Sequence, residues 1–196
     1  MNVIMDRPLS PKFRKLVQKA RDLFFLHGIK RVTIEEICQK AGVSRMMFYR
    51  YFQNKDAIAM YILDQLYSDA WSKFDEILAE DIPFEEKIRR IAVVKMEMAD
   101  EYSMEFLNEF LADEDSECGK LLIQKRKESY EFTRKIYTDA QERGDIRKDI
   151  KIDFIMFMME NSLEIVRDER VQSMYPDISQ LVHEMFALLF YGILSR

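Results

Sequence analysis

Residues 33–58 read TIEEICQKAGVSRMMFYRYFQNKDAI, and this stretch decides the fold. Thr33-Ile34-Glu35-Glu36 is a capping-box pattern, in which a hydroxyl and the third-position Glu satisfy free backbone donors at a helix start. A short helix with Ile34, Ile37, Cys38 and Ala41 inward follows and ends at Gly42. Ser44 is placed to cap a second short helix through about Tyr51. Helix, the turn Ala41-Gly42-Val43 and helix together have the spacing of a DNA-binding helix-turn-helix. A sharp turn between helices favours glycine, which accepts positive φ at Gly42 without strain. The first helix braces the second, whose N-terminal half can then enter a major groove about 12 Å wide. Val43, Phe48 and Phe52 hold the second helix against a core, and Arg45, Met46, Tyr49 and Arg50 point outward.

Upstream, Phe13, Leu16, Val17, Ala20, Leu23 and Phe24 recur at helical spacing, so residues 10–27 form an amphipathic helix opened by Ser10-Pro11 and stopped at Gly28. Downstream, Asn54 caps a long helix to about Ala79. Further helices are expected from Pro83 to about Asp100, over 102–111, over 116–143 ending at Gly144, over 149–171, and over 176–194 beyond Tyr175-Pro176-Asp177. The fold is therefore all-α: an N-terminal three-helix helix-turn-helix domain, residues 1–55, followed by a larger helical domain, 56–196, about nine helices in all. Five Gly and four Pro in 196 residues are too few turn signals for an all-β chain of this length. There is no internal repeat.

The net charge of −5 hides an asymmetry: residues 1–55 sum to +8 and the rest to −13. A basic head on an acidic body suits an anionic polymer at one end, and the acidic body turns that end toward it. The longest nearly unbroken apolar run, Met185–Leu194, has about half the length of a membrane span, so no membrane is expected. The first residues carry Asp6, Arg7 and prolines rather than an apolar signal, which predicts a cytoplasmic protein. Cys38 and Cys118 form no disulfide framework, and His27 and His183 lack ligand-spaced neighbours, so neither metal nor cofactor is expected. No Gly-rich phosphate loop, Gly-x-Ser-x-Gly elbow or Glu-x-x-His pair points to an enzyme.

Gly42, Val43, Ser44, Phe48, Tyr49, Tyr51, Phe52 and Lys55 stand in the register G-V-S-x-G-x-L-Y-x-Y-F-x-x-K. This resembles the signature of the TetR family of bacterial transcriptional regulators, and Phe24, Gly28, Thr33 and Ile37 also suit it. The sequence departs at Met46, usually Gly, and at Met47, usually a small residue; both put flexible apolar bulk where the family approaches the DNA backbone. Carried over by position, the resemblance implies phosphate contacts from Thr33, Ser44, Tyr49, Tyr51 and Lys55. Arg45 and Arg50 are the candidates for base edges, and Met46 and Met47 for a thymine methyl.

The family's cavity for a small inducer gives the methionines of the body a second reading besides core filling. Met96, Met104, Met156 and Met159, with Tyr67, Trp71, Tyr102, Phe106, Phe110 and Tyr130, are the candidate lining. The last two expected helices are apolar over two faces. Phe154, Phe157, Met158 and Ile165, with Val182, Met185, Phe186, Leu189, Phe190 and Ile193, are left for a second copy in a four-helix interface. The expectation is a homodimeric DNA-binding regulator, a repressor released from palindromic double-stranded DNA by a small, largely apolar ligand. The alternative is a DNA-binding regulator controlled by a protein partner, and an adaptor that binds acidic proteins is separated from both by sequence-specific DNA binding.

Overall fold

The computed structural model describes residues 10–101, 106, 109, 114–176, 180, 181, 184, 185, 187 and 188. Every regular element among them is a helix: α1 (Pro11–His27), α2 (Ile34–Ala41), α3 (Arg45–Tyr51), α4 (Lys55–Ala79), α5 (Phe84–Glu101), α6 (Glu117–Arg143), α7 (Ile152–Arg167) and the single turn α8 (Glu169–Gln172). The helices expected over 102–111 and 176–194 lie largely outside the described residues; Phe106, Glu109, Leu181 and Met185 are helical. None of the described helices is long and apolar enough to cross a membrane.

The helix starts follow from local chemistry. Ser10 caps α1, its Oγ accepting from the Phe13 N–H at 3.1 Å, and Pro11 stands in the first turn where a missing N–H costs nothing. Asn54 Oδ1 accepts from Ala57 N at 2.8 Å at the start of α4, and Ser116 Oγ accepts from Gly119 N at 2.9 Å at the start of α6.

The expected helix over 149–171 is corrected at both ends. The Gln141 side-chain amide donates to the carbonyls of Arg147 and Ile150 at 3.0 and 2.8 Å, which holds that segment as a loop until α7 starts at Ile152. At the far end Asp168 Oδ1 accepts from Arg170 N at 2.9 Å, so the carboxylate caps a new turn instead of letting α7 continue.

The chain divides into two compact units. The first takes the described residues up to Glu76 with those of 93–126, and the second takes 77–92 with those from Lys127 onward. In the first, Phe13, Leu16, Ala20 and Phe24 of α1 meet Ile37, Cys38 and Ala41 of α2, Phe48 of α3, and Ile58, Ile62, Leu63 and Leu66 of α4. Phe106 and Leu122 close this core from far along the chain. The second unit buries Phe84, Ile88 and Ile91 of α5, Ile136, Tyr137 and Ala140 of α6, Ile146, and Ile155 and Met156 of α7. Arg134 and Asp153 tie α6 to α7 at its surface, 3.0 Å apart.

Candidate nucleic-acid interface

α2 and α3 are each capped by a hydroxyl on the expected interface. Thr33 Oγ1 accepts from Glu36 N at 3.1 Å and Ser44 Oγ from Met47 N at 3.2 Å. Each hydroxyl keeps its own O–H to donate outward, so one residue both starts the helix and remains available to a phosphate. Between them Gly42 has φ +67° and ψ 38°, and Val43 N donates back to Cys38 O at 3.0 Å. This left-handed residue is what folds α3 back across α2 over so short a connection.

An aromatic cluster fixes the orientation of α3. Phe48 and Phe52 are 0% and 1% exposed, and Phe52 stacks on Phe13 with ring centroids 5.8 Å apart. Tyr61 of α4 meets both Phe13 and Phe52 edge-on at 5.6 and 5.7 Å. With that face buried, Met46 is left 82% exposed and Tyr49 50%, and Arg45 and Arg50 are also exposed, while Met47 is half-buried. The outward set expected of Arg45, Met46, Tyr49 and Arg50 is thus brought onto one face by α3.

The other expected contacts also have intramolecular partners. The Tyr51 hydroxyl is 3.2 Å from Ser10 Oγ, and Phe13 lies edge-on to its ring at 4.9 Å. Arg50 Nη2 donates to the same hydroxyl at 3.3 Å, with its guanidinium 5.2 Å above the ring. Lys55 donates to the carbonyls of Lys30 and Val32 at 3.1 and 2.8 Å, pinning the α1–α2 connection to the start of α4. One N–H of its ammonium is left over.

Two features here were not legible in the sequence. Lys15 on α1 reaches the helix-helix turn, its Nζ 3.7 Å from where a Cβ on Gly42 would stand, and adds a basic group beside α3. The Lys30 N–H donates to Glu109 Oε2 at 2.8 Å, and Phe106 lies edge-on to Phe25 at 4.9 Å. The α1–α2 connection is therefore held by residues about 80 positions away. Exposed basic residues on α1 could have been a signal for the first; local periodicity carries none for the second.

Burial pushes the Cys38 thiol up, against an opposing pull from Arg45, and burial with Asp56 and Glu117 pushes Cys118 up to about 11. Both stay thiols at neutral pH, as small apolar residues do in a core.

Of the candidate ligand residues, Phe106 is packed into the first core, where Tyr67 and Trp71 are half-buried and the Lys125 ammonium lies 5.8 Å over the Trp71 ring. In the second unit Met156 is buried, and Tyr130 and Met159 are half-buried. The Met96 side chain, Tyr102, Met104 and Phe110 lie outside the described residues. Of the candidate dimer residues, Phe154, Phe157 and Ile165 are 58%, 57% and 46% exposed along α7, and Met158 and Met185 are half-buried. Val182, Phe186, Leu189, Phe190 and Ile193 lie outside the described residues. Leu188, which the helical stripe passes over, is 79% exposed.

The family model described as bacterial regulatory proteins, tetR family, matches residues 16–62, which span most of α1, all of α2 and α3 and the start of α4. Over 93% of both chains the sequence is 23% identical to the uncharacterized HTH-type transcriptional regulator YdgC of Bacillus subtilis. It is 24% identical to the HTH-type transcriptional regulator UidR of Escherichia coli over 74% of each chain. The fold is similar to that of the regulator FadR from Bacillus subtilis in complex with stearoyl-CoA, with a TM-score of 0.70, 16% identity, and 92% of this chain and 99% of that one covered. It is also similar to that of a transcriptional regulator from Saccharomonospora viridis in complex with choline, with a TM-score of 0.74, 14% identity, and 93% and 97% covered.

Proposed function

We propose, from the premise that the chain belongs to the tetR family of bacterial regulatory proteins and is a DNA-binding transcriptional regulator, that it works as a homodimeric repressor released by a small ligand. Residues 1–55 bind the DNA and 56–196 sense and dimerise. The observation that carries this reading is the exposed face of α3, with Arg45, Met46, Tyr49 and Arg50 presented outward by buried Phe48 and Phe52. Arg45 at the start of α3 reads a base edge. Thr33, Ser44, Tyr49 and Tyr51 hold phosphates, and the Met46 thioether packs on a thymine methyl. Arg50, lying along Tyr51, reaches either a base or the adjoining phosphate.

The exposed apolar residues Phe154, Phe157 and Ile165 recur along one side of α7, which supports a second copy as their cover. Two heads related by a two-fold axis then read a palindrome with half-sites about one helical turn apart or a multiple of it. The stearoyl-CoA and choline complexes of the two fold neighbours support a small ligand in the body. Ligand binding favours a head spacing that no longer fits successive major grooves. The site of action is the cytoplasm.

Selection from a random DNA pool, followed by titration of the winning site at two salt concentrations, tests the reading. A palindrome with a steep salt dependence is the expected result. Salt-sensitive binding with no enriched sequence would overturn it. Operator binding that no small molecule relieves, together with a copurifying protein that does, would favour control by a protein partner instead.

A further inference from the structure

Tyr137 is 1% exposed, and its hydroxyl is the one buried side-chain nitrogen or oxygen among the described residues without a hydrogen-bond partner. Phe84 of α5 meets its ring edge-on with centroids 6.0 Å apart. Among the described residues the rest of the buried set of this unit is apolar, Ile88, Ile91, Ile136, Ile155 and Met156 included. A phenol in such surroundings has lost its hydrogen bonds to water and received none in return, which disfavours the folded state. Phenylalanine would fill nearly the same space without that loss, so packing gives no reason for the oxygen. Burial also pushes the phenol up, so that it stands protonated and able to donate.

We infer that the Tyr137 hydroxyl is the polar anchor of a ligand site inside the second unit, and that the ligand offers it an uncharged oxygen acceptor, such as a ketone, ester or ether, on an apolar frame. This rests on the proposal that the body takes a small ligand, and it names the ligand's chemistry and the residue that reads it. Charge is excluded by the neighbourhood. Among the described residues of the unit no cationic side chain is buried: Lys87 donates to Leu78 O, Arg134 pairs with Asp153, and Arg89 and Arg90 pair with Glu86. A carboxylate brought to Tyr137 would therefore be desolvated without a counter-charge. The thioether of Met156 suits the apolar remainder, since it repacks easily around an irregular shape.

Three probes of nearly one shape separate the possibilities: acetophenone, which has the acceptor; cumene, with a methyl group in place of the oxygen; and benzoate, which carries the charge. Each is titrated into the full chain and into Y137F by calorimetry, alongside thermal melts of both apo proteins. Apo Y137F is expected to melt at or above the parent. Acetophenone is expected to bind Y137F about tenfold more weakly, a loss of about 1.4 kcal/mol, while cumene binds both alike and benzoate neither. A lower melting temperature for apo Y137F would overturn the inference, because the hydroxyl would then be holding a structural water. So would equal acetophenone affinity in the two proteins, or no probe binding to either. Release from the selected operator is measured separately. Binding with the tenfold loss but without release would leave the anchor standing and remove the regulatory reading.

Discussion

Replacing Lys55 by Met separates architecture from DNA contact at the start of α4. The ammonium donates to Val32 O at 2.8 Å in a partly buried position and to Lys30 O at 3.1 Å in an exposed one. A hydrogen bond from a charged donor contributes about 1.5 to 3 kcal/mol where water is excluded, and much less where water takes over. Methionine keeps the aliphatic stem, so packing changes little. Most of the loss comes from Val32, and about 2 kcal/mol in total is expected. For a chain of this length that corresponds to a fall in melting temperature of about 4–8 °C. The assay is a thermal melt combined with operator titration over a salt series. If the remaining N–H reaches a phosphate, the slope of log affinity against log salt also becomes shallower by about 0.9. A weaker complex with an unchanged slope would confine Lys55 to bracing the α1–α2 connection. An unchanged melting temperature would refute the structural argument, since the two carbonyls would have lost nothing.

Gly42→Ala should cost about 1–2 kcal/mol in chemical denaturation through its positive φ rather than through crowding, because the nearest atom is the mobile end of Lys15. Gly42→Asn should cost less, and equal losses for the two would contradict a backbone origin. Phe106→Ala should destabilise the first unit by about 3–5 kcal/mol and weaken operator binding, although residue 106 lies far outside the DNA-binding segment; unimpaired DNA affinity would argue that the cluster around Phe25 does not support the head. Phe154→Glu with Phe157→Glu should give a folded monomer in sedimentation and lose the palindromic complex, because both positions are solvent-exposed in the single chain. A dimer that survives both charges would place the interface elsewhere.

The helix-turn-helix was legible because its determinants are local. Ser10, Thr33 and Ser44 cap within three residues, Gly42 supplies the left-handed residue of the turn, and the apolar spacing of α1 and α2 names Phe13, Leu16, Phe24 and Ile37 as core. The break at Asp168 was not legible, because an aspartate within an apolar helical stripe is compatible with continuation until its carboxylate is seen accepting from Arg170. The outward face of α3 could be read from the inward one, Phe48 and Phe52, but the intramolecular partners of Arg50 and Lys55 could not. That Lys55 braces Val32, and that Arg50 lies on Tyr51, depend on how α1, α3 and α4 meet.

By itself the sequence determined an all-helical chain, the caps and turn of its helix-turn-helix, and the family signature that this segment resembles, since each rests on neighbours a few residues apart. Tertiary structure alone decided that Phe106 and Glu109 hold the head's α1–α2 connection, and that the Tyr137 hydroxyl is buried with nothing to bond. Those facts are relations between groups distant in the chain. Helical periodicity reports which face of a helix is buried, and carries no information about which distant atoms it is buried against.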